Sequence, residues 1–331
     1  MGGMSHNAHR FARLSYHTRA RALARATGDD ITARGAGDDT QELTMKISEV
    51  LKRKQSFSYE IFPPRGELSR ENALQLAREL ATTAPDWISV TFSAGGSGNS
   101  RNTAAISGAL EREVGVTALA HLTCLGSSRA DIDEFVADVT SRGVENVLAL
   151  RGDRAPGREP IDFAYARDLI PYLKDAGLCV GAACYPEGHV ECEDFGASLE
   201  HLKEKQDAGA DFFVTQLFFD NEYFYRFREA CDRARIKVPI VCGIMPFTSE
   251  RQIQRMAFTC GASIPSRVIK RLAAVGDDPD AQREAGVAYA CEQLVDLARN
   301  GVDGLHVYTM NKPEVGRAAH DALVSCGYLK A

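Results

Sequence analysis

Short hydrophobic segments alternate with longer amphipathic ones along the chain from residue 57 onward. Eight segments rich in β-branched and aromatic residues predict strands, beginning at residues 57, 87, 117, 146, 179, 212, 239 and 304. Between them, stretches such as ENALQLARELATT and RADIDEFVADVTSRG place apolar residues near the 3.6-residue period that predicts helices. Several predicted helices end at a glycine, as at Gly143, Gly177 and Gly209. This alternation is typical of βα units and a parallel sheet.

The pattern predicts an α/β protein, a (β/α)8 TIM barrel with extra helices before the eighth strand. Most strands begin about 30 residues apart, and the last interval of about 65 residues leaves room for further helices between Ile264 and Asn300. A doubly wound open sheet is the alternative, but such sheets normally carry a phosphate-binding motif after the first strand, and PPRGE contains none. AGGSGNSR follows the second strand, and Arg101 stands where G-x-G-x-x-G requires its third glycine. We interpret AGGSGNSR as a loop at the barrel mouth.

The first 44 residues have no sustained apolar period. They are rich in Arg, His, Ala, Gly and Thr, so we predict a disordered extension over residues 1–44 and a catalytic barrel over residues 45–331. The acid-free beginning superficially resembles an organelle transit peptide, but acidic residues soon follow in GDDITARGAGDD. A simpler hypothesis makes Met45 the natural start of the protein.

Composition and charge narrow the class of protein. The chain has 331 residues, is 44% hydrophobic and 25% charged, and carries a net charge of -6, which offers no basic field for nucleic acid. No apolar run approaches the roughly 20 residues needed to cross a bilayer, so no membrane partner is expected. The nine cysteines include no C-x-x-C pair. We therefore expect no metal site or iron-sulfur cluster, and a reducing, cytoplasmic location.

Polar residues gather near the predicted carboxyl ends of the strands, where barrel enzymes build their sites. Glu60, within SYEIFPPR, places a carboxylate in the first buried strand, where it must face something that offsets its desolvation. The other members are Thr91, His121, Arg151, Asp153, Tyr185, Glu187, His189 and Gln216. Each alone is compatible with a satisfied structural group, and Glu60 with a salt bridge. So many at one end of a barrel indicate a ligand site.

Eight motifs, taken in order, resemble those of the methylenetetrahydrofolate reductase family. They are EIFPP, SVTFSAGGS, HLTC, LALRGD, YPEGH, LKEKQDAGADFFVTQLFFD, GIMPF and YTMNK, and they cover residues 57 to about 327. The resemblance implies a FAD-containing barrel that reduces 5,10-methylenetetrahydrofolate to 5-methyltetrahydrofolate with electrons from NADH or NADPH. NADH is the first choice, because no arginine cluster suited to a 2′-phosphate is evident. A homo-oligomer is also expected.

The resemblance further implies a role for each matching residue. Glu60 corresponds to the general acid that protonates the folate so that its imidazolidine ring opens, Asp153 to an aspartate near the flavin and pterin rings, and Thr91 to a threonine near the reactive flavin nitrogen. The positions that match FAD contacts are His121, Arg151, Gly152, Asp153, Tyr165, Ala166, Tyr185, His189 and Lys205. The positions that match folate contacts are Gln216, Gln252 and Lys312.

One helix departs from the family pattern. Ser198 stands where a number of members have an acid that binds the FAD ribose, and His201 and Glu204 replace an amide and a basic residue. We therefore expect FAD contacts on this helix to differ from those of other members.

Two other functions stay open at this point. One is a flavin barrel of the proline-dehydrogenase type, which the folate-matched Gln216 disfavours. The other is a subunit of a redox complex that takes electrons from a partner protein, and that partner would have to carry its own iron-sulfur relay. Turnover with folate distinguishes these functions from the reductase.

Overall fold

The computed structural model describes residues 45–63, 69–92, 100–154 and 159–330. The predicted disordered extension over residues 1–44 lies outside the described residues. So do most of AGGSGNSR, most of PPRGE and residues 155–158 after the RGD sequence.

Eight parallel strands pair in sequential order, and the first pairs with the eighth to close a barrel. This confirms the predicted (β/α)8 fold class. The strands are β1 (Ser56–Ile61), β2 (Trp87–Val90), β3 (Ala118–Thr123), β4 (Asn146–Leu150), β5 (Cys179–Cys184), β6 (Phe212–Thr215), β7 (Ile240–Ile244) and β8 (Gly304–Tyr308).

Helices surround the barrel and follow the strands. They are α1 (Ile47–Arg53), α2 (Ser69–Ala81), α3 (Ser100–Ala109), α4 (Arg129–Ser141), α5 (Ala166–Asp175), α6 (Phe195–Asp207), α7 (Asn221–Arg233), α8 (Glu250–Cys260), α9 (Ser266–Val275), α10 (Pro279–Arg299) and α11 (Pro313–Ser325). Helices α9 and α10 occupy the long interval before β8, as predicted. The glycines at 143, 177 and 209 adopt positive φ angles of 85°, 83° and 105° just after α4, α5 and α6, which confirms the predicted helix ends.

Strand β1 explains how a carboxylate fits within a buried strand. Phe57, Tyr59 and Ile61 point outward and pack in the hydrophobic layer between the barrel and its helices. Ser58 and Glu60 alternate with them and therefore face the barrel interior. The outward face supplies the hydrophobic packing, so the inward face is left free for polar residues at the carboxyl end.

Helix α1 closes the amino end of the barrel. Its Ile47 and Val50 pack against residues at the starts of the strands, including Trp87 and Phe212. The backbone N–H of Ile47 donates to Asn146 Oδ1 at 2.8 Å, which fixes the helix to the start of β4. The floor of the barrel is thus filled with side chains, and the cavity described below lies at the opposite end.

Candidate active site

A cavity of about 610 Å³ opens at the carboxyl ends of the strands. This volume lies within the range of sites that bind small molecules and cofactors. The predicted site residues that line it are Glu60, Thr91, His121, Arg151, Gly152, Asp153, Tyr165, Ala166, Tyr185, His189, Lys205 and Gln216. The fold therefore brings together twelve positions spread over more than 150 residues of sequence.

Glu60 lies between two histidines at the inner end of this cavity. Its Oε2 is 3.6 Å from His121 Nε2 and 4.0 Å from His306 Nε2, and its side chain is 20% exposed. Burial lowers the pKa of His121 to about 4, against a smaller opposing effect of the Glu60 carboxylate. His121 is therefore neutral near pH 7. Within the described residues its Nε2 has no hydrogen-bond partner.

His306 belongs to the site, although sequence reasoning did not single it out. The side chain is buried, and its Nδ1 lies 2.8 Å from Ser58 Oγ while its Nε2 lies 3.3 Å from Ser89 Oγ. These two contacts fix the imidazole ring beside the carboxylate of Glu60. A signal for this residue was present in GLHVYT, because His306 and Tyr308 share one face of β8 at the two-residue period of a strand.

Tyr308 is the second site residue that the sequence analysis missed. Its hydroxyl donates to the carbonyl oxygen of Thr215 at 2.6 Å, so the phenol reaches across β7 to the end of β6. Gly243 on β7 permits this path, because a Cβ at that position would lie 2.4 Å from the tyrosine oxygen. The Tyr308 ring also meets the His306 ring edge to face, at 5.4 Å between centroids.

Arg151 is held by an acidic partner in the loop after β5. Its guanidinium donates to both oxygens of Glu191, at 2.6 and 2.9 Å, and Arg154 Nε donates to the same carboxylate at 3.1 Å. These contacts with Arg151, and the smaller ones with Arg154, lower the pKa of Glu191 to about 2. Glu191 is therefore ionised at all physiological pH values and competes with any anion for these arginines.

Lys205, on α6, extends a partly buried ammonium group toward the cavity. Its Nζ donates to the carbonyl oxygen of Ala183 at 2.8 Å and lies 5.4 Å from the centre of the Tyr185 ring. Burial lowers the pKa of this lysine to about 8. An ammonium group has three donors, and this hydrogen bond uses one of them. An anion placed in the cavity would therefore find a partly desolvated cation.

The three residues of α6 that depart from the family pattern all line the cavity. Ser198 Oγ accepts a hydrogen bond from the backbone N–H of His189 at 3.1 Å. His201 Nδ1 lies 3.6 Å from Cys192 Sγ, and Glu204 is paired with Arg167 of α5. On the side of the cavity formed by α6, these three side chains therefore contact other residues of the protein.

Three predicted positions do not line the cavity. Gln252 lies in the first turn of α8, where its Oε1 accepts from the backbone N–H of Thr248 at 3.0 Å. Met256, one turn later, does line the cavity, so this helix borders the site. Lys312 immediately precedes α11. Glu187 instead accepts the backbone N–H of Ser263 at 3.0 and 3.2 Å, and burial raises its pKa.

The described part of the chain contains no group of three or more His, Cys, Asp or Glu side chains arranged to hold a metal ion. None of the helices in this part is long and apolar enough to span a membrane.

Comparison with known proteins identifies relatives over most of the chain. The family described as Methylenetetrahydrofolate reductase matches residues 43–323. A 5,10-methylenetetrahydrofolate reductase from Pectobacterium carotovorum is 34% identical over 84% of this chain and 93% of its own length. Methylenetetrahydrofolate reductase (NADH) 1 from Arabidopsis thaliana is 33% identical over 86% of this chain, which spans 50% of that longer relative.

Among solved structures, a Clostridium thermocellum protein described as binding two copies of 5-methyl-5,6,7,8-tetrahydrofolic acid superposes with a TM-score of 0.61. It covers 86% of this chain and 99% of the other, at 15% sequence identity, so it supports the fold alone. The family match and the bacterial relative carry the assignment: the chain belongs to the methylenetetrahydrofolate reductase family of oxidoreductases.

Proposed function

We propose that this protein reduces 5,10-methylenetetrahydrofolate to 5-methyltetrahydrofolate, with FAD as the bound cofactor and NADH or NADPH as the electron donor. The observation that carries the proposal is the position of Glu60. Its carboxylate lies at the inner end of a cavity of cofactor size, beside His121 and His306, on a strand of the matched family region. NADH is the preferred donor, in keeping with the name of the Arabidopsis relative.

The residues around the cavity are chemically suited to FAD. Arg151, His189 and Lys205 provide donors for a diphosphate, and the spare donors of the partly buried Lys205 ammonium are the clearest case. Tyr165 and Tyr185 provide aromatic surface along the same cavity. Bound FAD would supply hydride transfer between the nicotinamide and the folate.

We assign the proton that the folate requires to Glu60. Its Oε2 would hold the proton and deliver it to a ring nitrogen of the imidazolidine, which opens the ring before hydride arrives. Burial lowers the pKa of His121 to about 4, so this neighbour is neutral near pH 7 and places no positive charge beside Glu60. The buried His306, fixed by Ser58 and Ser89, keeps the surroundings of the carboxylate rigid.

Other predicted residues take roles consistent with their positions. Asp153 and Thr91 line the cavity and are proposed to contact the flavin and pterin rings, whereas Gln216 is proposed to bind the folate. Gln252 and Lys312 remain predicted folate contacts. Lys312 lies next to the end of β8, and Gln252 is one helical turn from Met256. Both positions follow the carboxyl ends of strands, β7 and β8, the end of the barrel at which a long substrate would extend from the cavity.

The proposal is tested by following the two half-reactions separately. The purified chain is reconstituted with FAD or FMN, and the bound flavin is reduced anaerobically with NADH, NADPH or reduced ferredoxin in parallel. The reduced protein is then mixed with 5,10-methylenetetrahydrofolate in a stopped-flow spectrometer. We expect about one FAD per chain, faster reduction by a nicotinamide than by ferredoxin, and reoxidation by the folate. A preference for FMN, or reduced flavin that the folate leaves unchanged, contradicts the proposal.

A further inference from the structure

The turn after β8 is bonded to the end of the strand that carries Glu60. Backbone pairing of β1 with β8 extends as far as Glu60 opposite Tyr308. Beyond that point, Thr309 Oγ1 donates to the carbonyl oxygen of Glu60 at 2.7 Å. Asn311 continues the contact, because its Oδ1 accepts the Phe62 N–H at 2.9 Å and its Nδ2 donates to the Phe62 carbonyl oxygen at 2.8 Å.

The amide of Asn311 thus replaces a peptide group. It exchanges two hydrogen bonds with one residue, as a neighbouring strand would, and so extends the pairing beyond the last backbone rung. Asparagine suits this position because its side-chain amide carries both a donor and an acceptor. Aspartate has nearly the same shape but lacks the donor.

The backbone of this turn is unusual. Met310 and Asn311 have φ angles of 54° and 56°, in the left-handed region that residues other than glycine seldom occupy. Two such residues in succession direct the Asn311 side chain back toward β1. Backbone strain of this kind persists only where surrounding contacts enforce it, and it concentrates at functional sites.

The end of β1 depends on these contacts. Glu60 is the penultimate residue of the strand, and Pro63, shortly afterwards, has no N–H to donate. On the opposite side, the backbone N–H of Thr91 donates to the Ile61 carbonyl oxygen at 3.0 Å. Beyond the ladder pairing of Glu60 and Ile61 with their neighbouring strands, the segment from Glu60 to Phe62 is therefore held by one further bond from Thr91 and by three from the turn after β8.

We propose that Thr309 and Asn311 are positioning residues for Glu60: they clamp the backbone on both sides of Ile61 and so fix where the carboxylate meets the folate. This inference rests on the proposed function, in which Glu60 delivers the proton. Neither side chain lines the cavity, so both act through the strand and not through the substrate.

The experiment combines Asn311→Ala with Glu60→Gln in a double-mutant cycle. We expect Asn311→Ala to slow reoxidation of the reduced flavin by the folate about tenfold or more, while reduction by the nicotinamide changes less than twofold. In the Glu60→Gln background, the same alanine substitution should have little further effect, because the residue it positions no longer delivers a proton. A general structural role predicts losses in both half-reactions and in both backgrounds, and that result would overturn the proposal.

Matched variants separate the parts of the clamp. Asn311→Asp should lose activity like the alanine variant, since it cannot donate to the Phe62 carbonyl oxygen. Thr309→Val should also slow reoxidation, and Thr309→Ser should restore it, because only serine keeps the hydroxyl. Asn300→Ala is the control, because Asn300 precedes the start of β8, at the end of the barrel opposite Glu60, and its side chain bonds Asp296 and Tyr225.

Hydrogen exchange tests the hydrogen bonds of Asn311 to Phe62 independently of the role proposed for Glu60. Exchange of the Phe62 amide should accelerate in Asn311→Ala but not in Asn300→Ala, whatever the role of Glu60. Unchanged protection of Phe62 contradicts the clamp. If protection falls as expected but Glu60→Gln reacts normally with folate, the assigned role of Glu60 fails, and the positioning role fails with it.

Discussion

The role of Glu60 as the proton donor can be tested by removing only its transferable proton. Glu60→Gln keeps the shape and hydrogen-bonding capacity of the side chain, so the folate half-reaction should slow by about 10²-fold or more. Flavin reduction should change little, because hydride transfer from nicotinamide needs no proton from this group. Stopped-flow measurement of both steps checks the prediction, with unfolding temperature as the control for folding. Collapse of flavin reduction with normal folate chemistry would refute the assigned role.

Glu191 is the residue that a cofactor diphosphate would have to displace from Arg151. Because this carboxylate is bonded to both Arg151 and Arg154, Glu191→Gln should weaken the competing contact and raise FAD affinity, on the order of tenfold. Titration of apoprotein with FAD, followed by flavin fluorescence, measures the change. Glu193→Gln makes the same change of charge two residues away and should have a smaller effect. Weaker FAD binding by Glu191→Gln would mean that Glu191 supports the bound state.

The sequence identified Glu60 because a carboxylate is conspicuous within an apolar strand. It did not indicate Glu191 as the partner of Arg151, because the two are 40 positions apart and meet only when the loops after β4 and β5 fold together. His306 and Tyr308 escaped for another reason. The two-residue period of GLHVYT places both residues on one face of the strand, but that period does not say which face is inward until the register is known.

Strands β7 and β8 fit one another at the position of Gly243. A Cβ at Gly243 would meet the Tyr308 hydroxyl at 2.4 Å and the Thr215 carbonyl oxygen at 2.6 Å. Gly243→Ala should therefore displace the tyrosine, destabilise the fold by about 1–3 kcal/mol as overpacking does, and impair the folate half-reaction. Urea unfolding and single-turnover reoxidation measure the two effects.

Gly181→Ala is the matched control for this prediction. A Cβ there would press on Phe212 in the barrel floor, at 2.6 Å, and touch Leu148, between the floor and the cavity, at 3.0 Å, so it should destabilise the fold to a similar degree. It should spare the folate half-reaction of the protein that remains folded. Equal losses of activity in both variants would contradict a specific role for Gly243.

The strands could be predicted from sequence because the helices bury one face of each strand, which requires hydrophobic residues there. The positions at which the strands end were predicted less accurately. FFVTQLF predicted a strand to residue 218, but β6 ends at Thr215, because Leu217, Phe218 and Phe219 are buried apolar residues outside the sheet. Helix α1 was not predicted, since its two buried residues, Ile47 and Val50, are fixed by the barrel floor and form no long periodic face.

The whole molecule carries a buried acid whose titration should affect stability. Glu111 lies in a π-helical turn, Leu110–Val114, after α3, and its Oε1 accepts the Ala118 N–H at 2.8 Å. Burial raises the pKa of Glu111 to about 8, and its Oε2 has no partner within the described residues. The folded protein therefore keeps a proton that the unfolded chain releases above its ordinary pKa of 4.5.

This linkage has a definite sign. Because the pKa of Glu111 is higher in the folded protein than in the unfolded chain, the free energy of unfolding falls as pH rises between 4.5 and about 8. The slope reaches at most about 1.4 kcal/mol per pH unit. His121 acts in the opposite direction, because its lowered pKa makes the fold less stable as pH falls from 6.5 toward 4. The two effects overlap below pH 6.5, so the effect of Glu111 is best measured between pH 6.5 and 8.

Urea unfolding across that window gives the comparison. The free energy of unfolding of the native sequence should decline relative to Glu111→Gln, whose side chain has no titratable proton. Glu113→Gln, in the same turn but exposed and paired with Arg70, should follow the native curve. Parallel curves for the native protein and Glu111→Gln would show that Glu111 does not titrate in this range.

Both ends of the described barrel lie on one face of the protein, and this determines which face is exposed when the protein is immobilised. The Tyr328 hydroxyl donates to the Ser56 carbonyl oxygen at 3.3 Å, and Lys46 Nζ reaches the Gly177 carbonyl oxygen at 2.9 Å. Ser56 begins β1 and Gly177 precedes β5, so both ends lie on the amino-terminal face of the barrel. A sensor chip or electrode that holds the chain near Tyr328 would therefore present the cavity to the solution, and immobilised protein should take up flavin as free protein does.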